Sequence, residues 1–234
     1  MHSKLRQAIG LATQPVAVLK AQHPPEGIDP RPCGCIIPLL AAAAQGQAAA
    51  LTADSVGCPG GKFGLGLVPQ APEGLAGFLS TGGGGRPGLG YKEAPCLMET
   101  YLHHLPPTEP PACLVFRPLD QLQPGEEPLA VVFLVNPHQL SALATLASYD
   151  RAPLENVKLL FGAGCTQAVR YALCAQEAGE DTCYVGLTDP SARLHLDRDL
   201  LSFSLPYRRF RELEEKADGS FLTQSTWQSL LRQG

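Results

Sequence analysis

LAVVFLVNPHQLSALATLASY, residues 129–149, reads as a strand followed at once by a helix, and the fold class is argued from it. Residues 129–135 are continuously aliphatic, β-branched and aromatic, the composition of a buried strand. Pro137 falls in the first-turn region of the next segment, where a missing N–H is tolerated, and Leu140, Leu143, Leu146 and Ala147 recur with a helical period. Downstream, VKLLFGAG (157–164) predicts a strand ending in glycines, TQAVRYALCAQEAG (166–179) a helix closed by Gly179, and TCYVGL (182–187) another strand.

Upstream the same order recurs with weaker signals. Leu5, Ile9 and Leu11 mark a helical stripe within residues 1–13, VAVL (16–19) a strand, CIIPLLAAAAQGQ (35–47) an alanine-dominated helix closed by Gly46, and AAALTAD (48–54) a short strand. The alternation predicts an α/β fold, a single domain over residues 1–234 with a mixed or mainly parallel sheet. YRRFRELEEKA (207–217) predicts a helix with a solvated face of i,i+4 pairs, stopped by Asp218-Gly219, and a short last helix is expected around Trp227.

A shift of 107 residues lays Gly57-Cys58 on Gly164-Cys165, Thr81 on Thr188, Arg86 on Arg193 and Leu89 on Leu196. Two fused β-α repeats, 14–104 and 128–217 around a proline-rich linker at 105–112, would account for this, and a pseudo-twofold axis would then bring the two cysteine loops together. The alternative, that all β-loop-α units look alike, stays open.

Composition removes several function classes. Eighteen Lys and Arg against 22 Asp and Glu give a net charge of −4, with no basic block to follow a phosphate backbone, so no nucleic-acid partner is expected. The longest apolar run, residues 35–44, is half of what a membrane span needs, so no membrane association is expected. The amino terminus shows no apolar core followed by a small-residue cleavage site, and a cytoplasmic location is expected.

The eight cysteines, at 33, 35, 58, 96, 113, 165, 174 and 183, lack the spacing of a secreted disulfide framework. Cys113, Cys174 and Cys183 sit in apolar strings and are expected to be buried, inert thiols. Cys165 lies between GAG and a helix start, where free amides and the helix dipole favour an anion and would lower the thiol pKa. Cys58 precedes Pro59 and then Gly60, Gly61, Gly64 and Gly66, glycines that weaken a helix by about 1 kcal/mol each. Bare backbone there would let a bulky cofactor or a second chain segment come into contact. The spacing is neither a dinucleotide fingerprint nor a P-loop.

Cys33 and Cys35, one glycine apart, add two thiols to Cys58 and Cys165, the number that an iron–sulfur cluster such as 4Fe–4S, or a structural zinc, would take. The cluster is the preferred cofactor because glycine amides suit cluster sulfides and no paired C-x-x-C is present; buried structural thiols are the alternative. Gly57, Gly60, Gly61 and Gly164 are the expected backbone around the cofactor. A second expectation is an anion nest in LSTGGGGRPGLGYK (79–92), with Thr81, Arg86 and Lys92, and with Arg193 either joining it or held by Asp189; the alternative is a flexible surface loop there and an Asp-Pro turn at 189–190. It would serve an enzyme or sensor for a small anionic metabolite, with Cys165 as thiolate. A third expectation is a subunit-interaction or homo-oligomeric role for the glycine-rich loops. The adjacent His103 and His104 point apart on a helix and form no metal pair, and no Ser-His-Asp order, nucleophile elbow or H-E-x-x-H occurs.

PVAVLK (15–20), CPGGKFGLGL (58–67), the GAGC turn (162–165), GLTDPSAR (186–193) and SLPYRRFRELEE (204–215) together resemble the prokaryotic family known as Domain of Unknown Function 169. The resemblance runs over nearly the whole chain. It implies a bacterial or archaeal protein of one domain and carries no established activity or catalytic residue.

Overall fold

The computed structural model describes residues 2–232. In chain order the elements are α1 (Lys4–Ala8), β1 (Val16–Ala21), α2 (Ile37–Ala44), β2 (Ala49–Leu51), α3 (Pro59–Gly64), α4 (Leu75–Leu79), the hairpin strands β3 (Gly82–Gly83) and β4 (Arg86–Pro87), α5 (Pro95–His104) and β5 (Cys113–Pro118). Then follow β6 (Ala130–Val135), α6 (Pro137–Ala147), β7 (Val157–Lys158), a π-helical stretch (Thr166–Arg170) running into α7 (Tyr171–Ala178), β8 (Cys183–Gly186), α8 (Pro190–Arg193), β9 (Leu201–Pro206), α9 (Tyr207–Lys216) and α10 (Ser225–Leu231). Among the described residues no helix is long and apolar enough to cross a membrane.

Seven strands form one mixed sheet in the order β2-β5-β1-β6-β9-β8-β7, antiparallel at every pairing except β7 with β8. The apolar run at 129–135 reports burial on both faces rather than strand direction. Ala130, Val132 and Leu134 pack on one side with α2 and α7, and Val131, Phe133 and Val135 on the other with α1, α6, α9 and α10. The sheet is less parallel than the element order implies because β5 and β9, which the pattern reading passes over, return between neighbours that a βαβ unit would have placed side by side.

In β9, Phe203 and Leu205 alternate with Ser202 and Ser204, and all four are buried. The serines face the π-helical stretch: Ser204 Oγ donates to Gln167 O at 3.3 Å, and a Cβ on Gly186 would lie 2.8 Å from both Gln167 Cβ and Ser202 Oγ. Small residues on β8 and β9 therefore let the segment after Cys165 rest directly on the sheet. The expected strand at 157–164 pairs only over Val157–Lys158, after which Leu159, Leu160 and Phe161 leave the sheet edge, 62%, 37% and 41% exposed.

The pairing pattern β2-β5-β1 is mirrored by β8-β9-β6. The 107-residue register does not follow it, since that shift lays β8 over residues 76–79, which are helical in α4. Helix α9 is also more deeply embedded than its charge suggests. Arg209 is fully buried, bonding Asp150, Glu212 and the Ala147 carbonyl, and Glu214 is buried where it accepts the Lys4 amide at 2.7 Å.

All eight cysteines are free, and Cys113, Cys174 and Cys183 are buried. Burial pushes the Cys183 thiol up to about 12. The unfolded chain ionises it near about 8.5, so this contribution to stability is complete below that pH and is lost as pH rises toward the folded value. Cys183→Ala is expected to flatten the alkaline fall in stability by up to about 1.4 kcal/mol per pH unit. Denaturant midpoints measured on both proteins across that range check this, and parallel slopes would refute it.

Candidate functional site

Cys33 is tied beside the Cys58 loop by backbone bonds: its N–H donates to Ser55 O at 2.9 Å and its carbonyl accepts from Gly57 N–H at 2.7 Å. Gly57 is small for this contact, since a Cβ there would lie 3.2 Å from Cys33 O. Cys58 then caps α3, with Sγ accepting from Gly61 N–H at 3.2 Å and Pro59 opening the first turn.

The glycines of α3 hold the second cysteine loop. A Cβ on Gly64 would stand 2.6 Å from Cys165 Sγ and 2.8 Å from Thr166 Oγ1, and Thr166 donates its hydroxyl to Gly64 O at 3.2 Å. A Cβ on Gly61 would be 3.5 Å from Cys58 Sγ. Gly61 and Gly64 are about 4.5 Å apart along the helix axis, so the two thiols rest against one short helix, roughly a turn apart. The bare backbone at 60–64 thus lets a second chain segment make close contact.

Arg170, 4% exposed, fixes this contact: Nη1 donates to Phe63 O at 2.7 Å and Nη2 to Pro106 O at 2.6 Å. The proline-rich stretch at 105–112 is thereby held against α3 rather than free.

Cys35, Cys58 and Cys165 line one cavity of about 1020 Å³, together with Gly60, Gly61 and Gly164. Cys33, Gly57 and Thr81 lie outside its lining, whereas Arg86 reaches its mouth and is exposed. Among the described residues no three Cys, His, Asp or Glu side chains are grouped closely enough to hold a single metal ion. Burial raises the Cys33 and Cys35 thiols, with neighbouring sulfurs adding to the shift. Burial also pushes Cys165 up to about 12, the opposite of the lowering expected at a helix start, because desolvation outweighs the amide of Thr166.

The anion-nest residues behave differently from expectation. Within residues 79–92 the β3-β4 hairpin takes up 82–87, and the amides of Leu89, Gly90 and Tyr91 donate to Phe78 O, Ser80 O and Leu79 O at 2.8, 2.7 and 3.0 Å. Gly82, at φ 90°, leaves no room for a Cβ, which would fall 2.2 Å from Arg86 O. Lys92 lies over the Phe161 ring, 4.3 Å from its centroid. Arg193 is not held by Asp189; its guanidinium donates to the carbonyls of Leu200, Asp197 and Arg198 and closes its own loop.

Asp189 instead organises the cavity wall. Its carboxylate accepts from Gly164 N–H and Tyr91 Oη at 2.8 Å each, and from the Ser191 amide and hydroxyl at 2.9 Å. Leu187, at φ 61°, is strained in the left-handed region and turns the chain so that Thr188 N–H donates to Gln167 Oε1 at 3.0 Å. Sequence reasoning missed Tyr91, Tyr101 and Arg170. Aromatic residues and a lone arginine in such strings carry no signal distinguishing a cavity wall from ordinary packing.

Fold and site together define an α/β protein with a thiol-lined cavity over one face of its sheet. The chain belongs to the Domain of Unknown Function 169 family, described as uncharacterised ArCR, whose model matches residues 4–216. No curated protein and no solved structure matches it significantly.

Proposed function

We propose that this is a cofactor-binding protein that holds an iron–sulfur cluster through Cys35, Cys58 and Cys165, in a redox or metabolic role. The observation that carries the proposal is the convergence of these three thiols, from three separate chain segments, on one cavity. A single ion demands ligands close around one point. A cluster is several ångströms across and takes its thiolates at separate corners, so the spread of these sulfurs suits it better. Cys33, joined to the Cys58 loop through its backbone, is the nearest reserve for a fourth thiolate. Ligation requires loss of the thiol protons, so cluster uptake is favoured as pH rises, most strongly for the deeply buried Cys165.

The test is anaerobic purification, with reconstitution using ferrous iron and sulfide, followed by iron and acid-labile sulfide analysis and visible absorption. Wild-type protein is expected to turn brown with near-stoichiometric iron and sulfide, and Cys58→Ser and Cys165→Ser to lose most of both. A colourless wild-type protein without bound iron would sink the proposal.

A further inference from the structure

We propose that Cys35 and Cys58 form a redox dithiol, which hydrogen peroxide or an organic hydroperoxide converts to one intrachain disulfide in the metal-free protein. These two thiols are among those assigned above to the cluster, but the dithiol goes beyond that reading and does not rest on it.

The backbone sets the pair side by side. The bonds from Cys33 N–H to Ser55 O and from Gly57 N–H to Cys33 O are the two bonds of a parallel bridge between Cys33 and Val56. One position further on the segments are still in contact, since a Cβ on Gly57 would lie 3.9 Å from Gly34 Cα. Two positions on, in the same register, stand Cys35 and Cys58. Extended residues two apart present their side chains to one face, and paired segments lie about 4.8 Å apart, inside the roughly 4.4–6.8 Å between Cα atoms that a disulfide spans. The ladder stops there because Pro59 has no N–H to donate to Cys35 O. Both side chains line one cavity, and each sulfur lies within electrostatic reach of the other. A glycine precedes each cysteine, which leaves both turns free to settle into the bridged geometry.

The other cysteines are set apart. Cys165 is buried with its Sγ against Gly64, Cys113, Cys174 and Cys183 are buried in the core, and Cys33 and Cys96 lie outside the cavity lining. Cys58 is exposed, so the oxidant reaches it first, and Cys35, half-buried beside it, is the resolving thiol. The Cys58 sulfur attacks one peroxide oxygen and the O–O bond breaks; the departing hydroxide takes the Cys58 proton as the first water, and Cys58 becomes a sulfenic acid. The Cys35 sulfur then attacks the Cys58 sulfur, the S–O bond breaks, and the departing hydroxide takes the Cys35 proton as the second water. The two thiols lose two electrons and two protons, and one peroxide becomes two waters. The bridge ties the start of α2 to the start of α3 and withdraws two of the three thiols from the cavity.

The experiment takes the full chain, reduced and stripped of metal with a chelator, exposes it to one equivalent of hydrogen peroxide, and blocks the remaining thiols with N-ethylmaleimide in denaturant. Intact mass is expected to show two fewer maleimides per chain than the unoxidised control, and peptide mapping without reduction to show a Cys35–Cys58 link that dithiothreitol reverses. Cys33→Ser and Cys165→Ser are expected to keep the link. Cys35→Ser is expected to lose it and to leave Cys58 as a sulfenic acid trapped by dimedone, a readout that loss of fold alone would not give. Retention of all thiols in the wild-type protein, or a link joining any other pair within the chain, would overturn the proposal. The assay contains no metal, so its result is read apart from the iron and sulfide analysis.

Discussion

Arg209→Ala is expected to lower stability by about 3 kcal/mol, the low end of the roughly 3–5 kcal/mol seen when one member of a buried ion pair is removed. Arg209 is 1% exposed, and its guanidinium donates to Asp150 Oδ1 at 2.5 Å, Asp150 Oδ2 at 3.0 Å and Glu212 Oε2 at 2.6 Å. Truncation leaves those carboxylates and the Ala147 carbonyl without their shared donor. The low end applies because Lys216 still pairs with Asp150, and Asp150 keeps 18% of its side-chain surface in solvent. For a chain of this length the melting temperature should fall by roughly 6–12 °C. A change within about 0.5 kcal/mol, as for an ordinary surface residue, would show that the buried network carries nothing.

The same pair sets an acid dependence. Hydrogen bonds from Arg209 hold the Asp150 carboxyl well below the usual carboxylate range. Its stabilising contribution is therefore complete above about pH 4 and is lost as pH falls toward the depressed folded value. Wild-type protein should lose stability over that acid range, and Arg209→Ala, with Asp150 returned toward its ordinary value, should lose less.

Gly64→Val should cost toward the top of the roughly 1–3 kcal/mol typical of overpacking, and it should abolish cluster uptake. The first added carbon already falls 2.6 Å from Cys165 Sγ and 2.8 Å from Thr166 Oγ1, so the turn carrying Cys165 must move away from α3. Gly60→Ala is the internal comparison. Its Cβ would meet only Leu75 Cδ1, at 3.3 Å, and helix propensity favours alanine by about 1 kcal/mol, so it should be neutral or mildly stabilising. Chemical denaturation gives both stabilities, and iron content gives the second effect. Equal behaviour of the two variants would mean that the glycines are a matter of helix flexibility and not of contact.

The elements with strong local signals were legible: β6 and α6 follow from an apolar run and a helical period, and α7 ends at Gly179, φ 73°, where a left-handed cap suits glycine. β9 was not, because Ser202 and Ser204 imitate the polar face of an exposed segment, yet they are buried where a helix start needs small neighbours. Residues 159–161 erred the other way, apolar enough for a strand but left outside the sheet once β7 had paired for two residues.

The site divides along the same line. The types of residue at 58–64 and 162–166 announced a close backbone approach beside a thiol, because glycine runs are destabilising unless something uses the space. What uses it is set by contacts between distant segments: Gly64 against Cys165, Asp189 against Gly164, Arg170 against Pro106. The primary chain determined an α/β domain and which thiols had unusual surroundings, since backbone preference and apolar periodicity are local properties. Tertiary structure alone decided that Cys35, Cys58 and Cys165 share a cavity while Arg193 does not, because side-chain neighbourhood depends on strand order, and strand order is a property of the whole sheet.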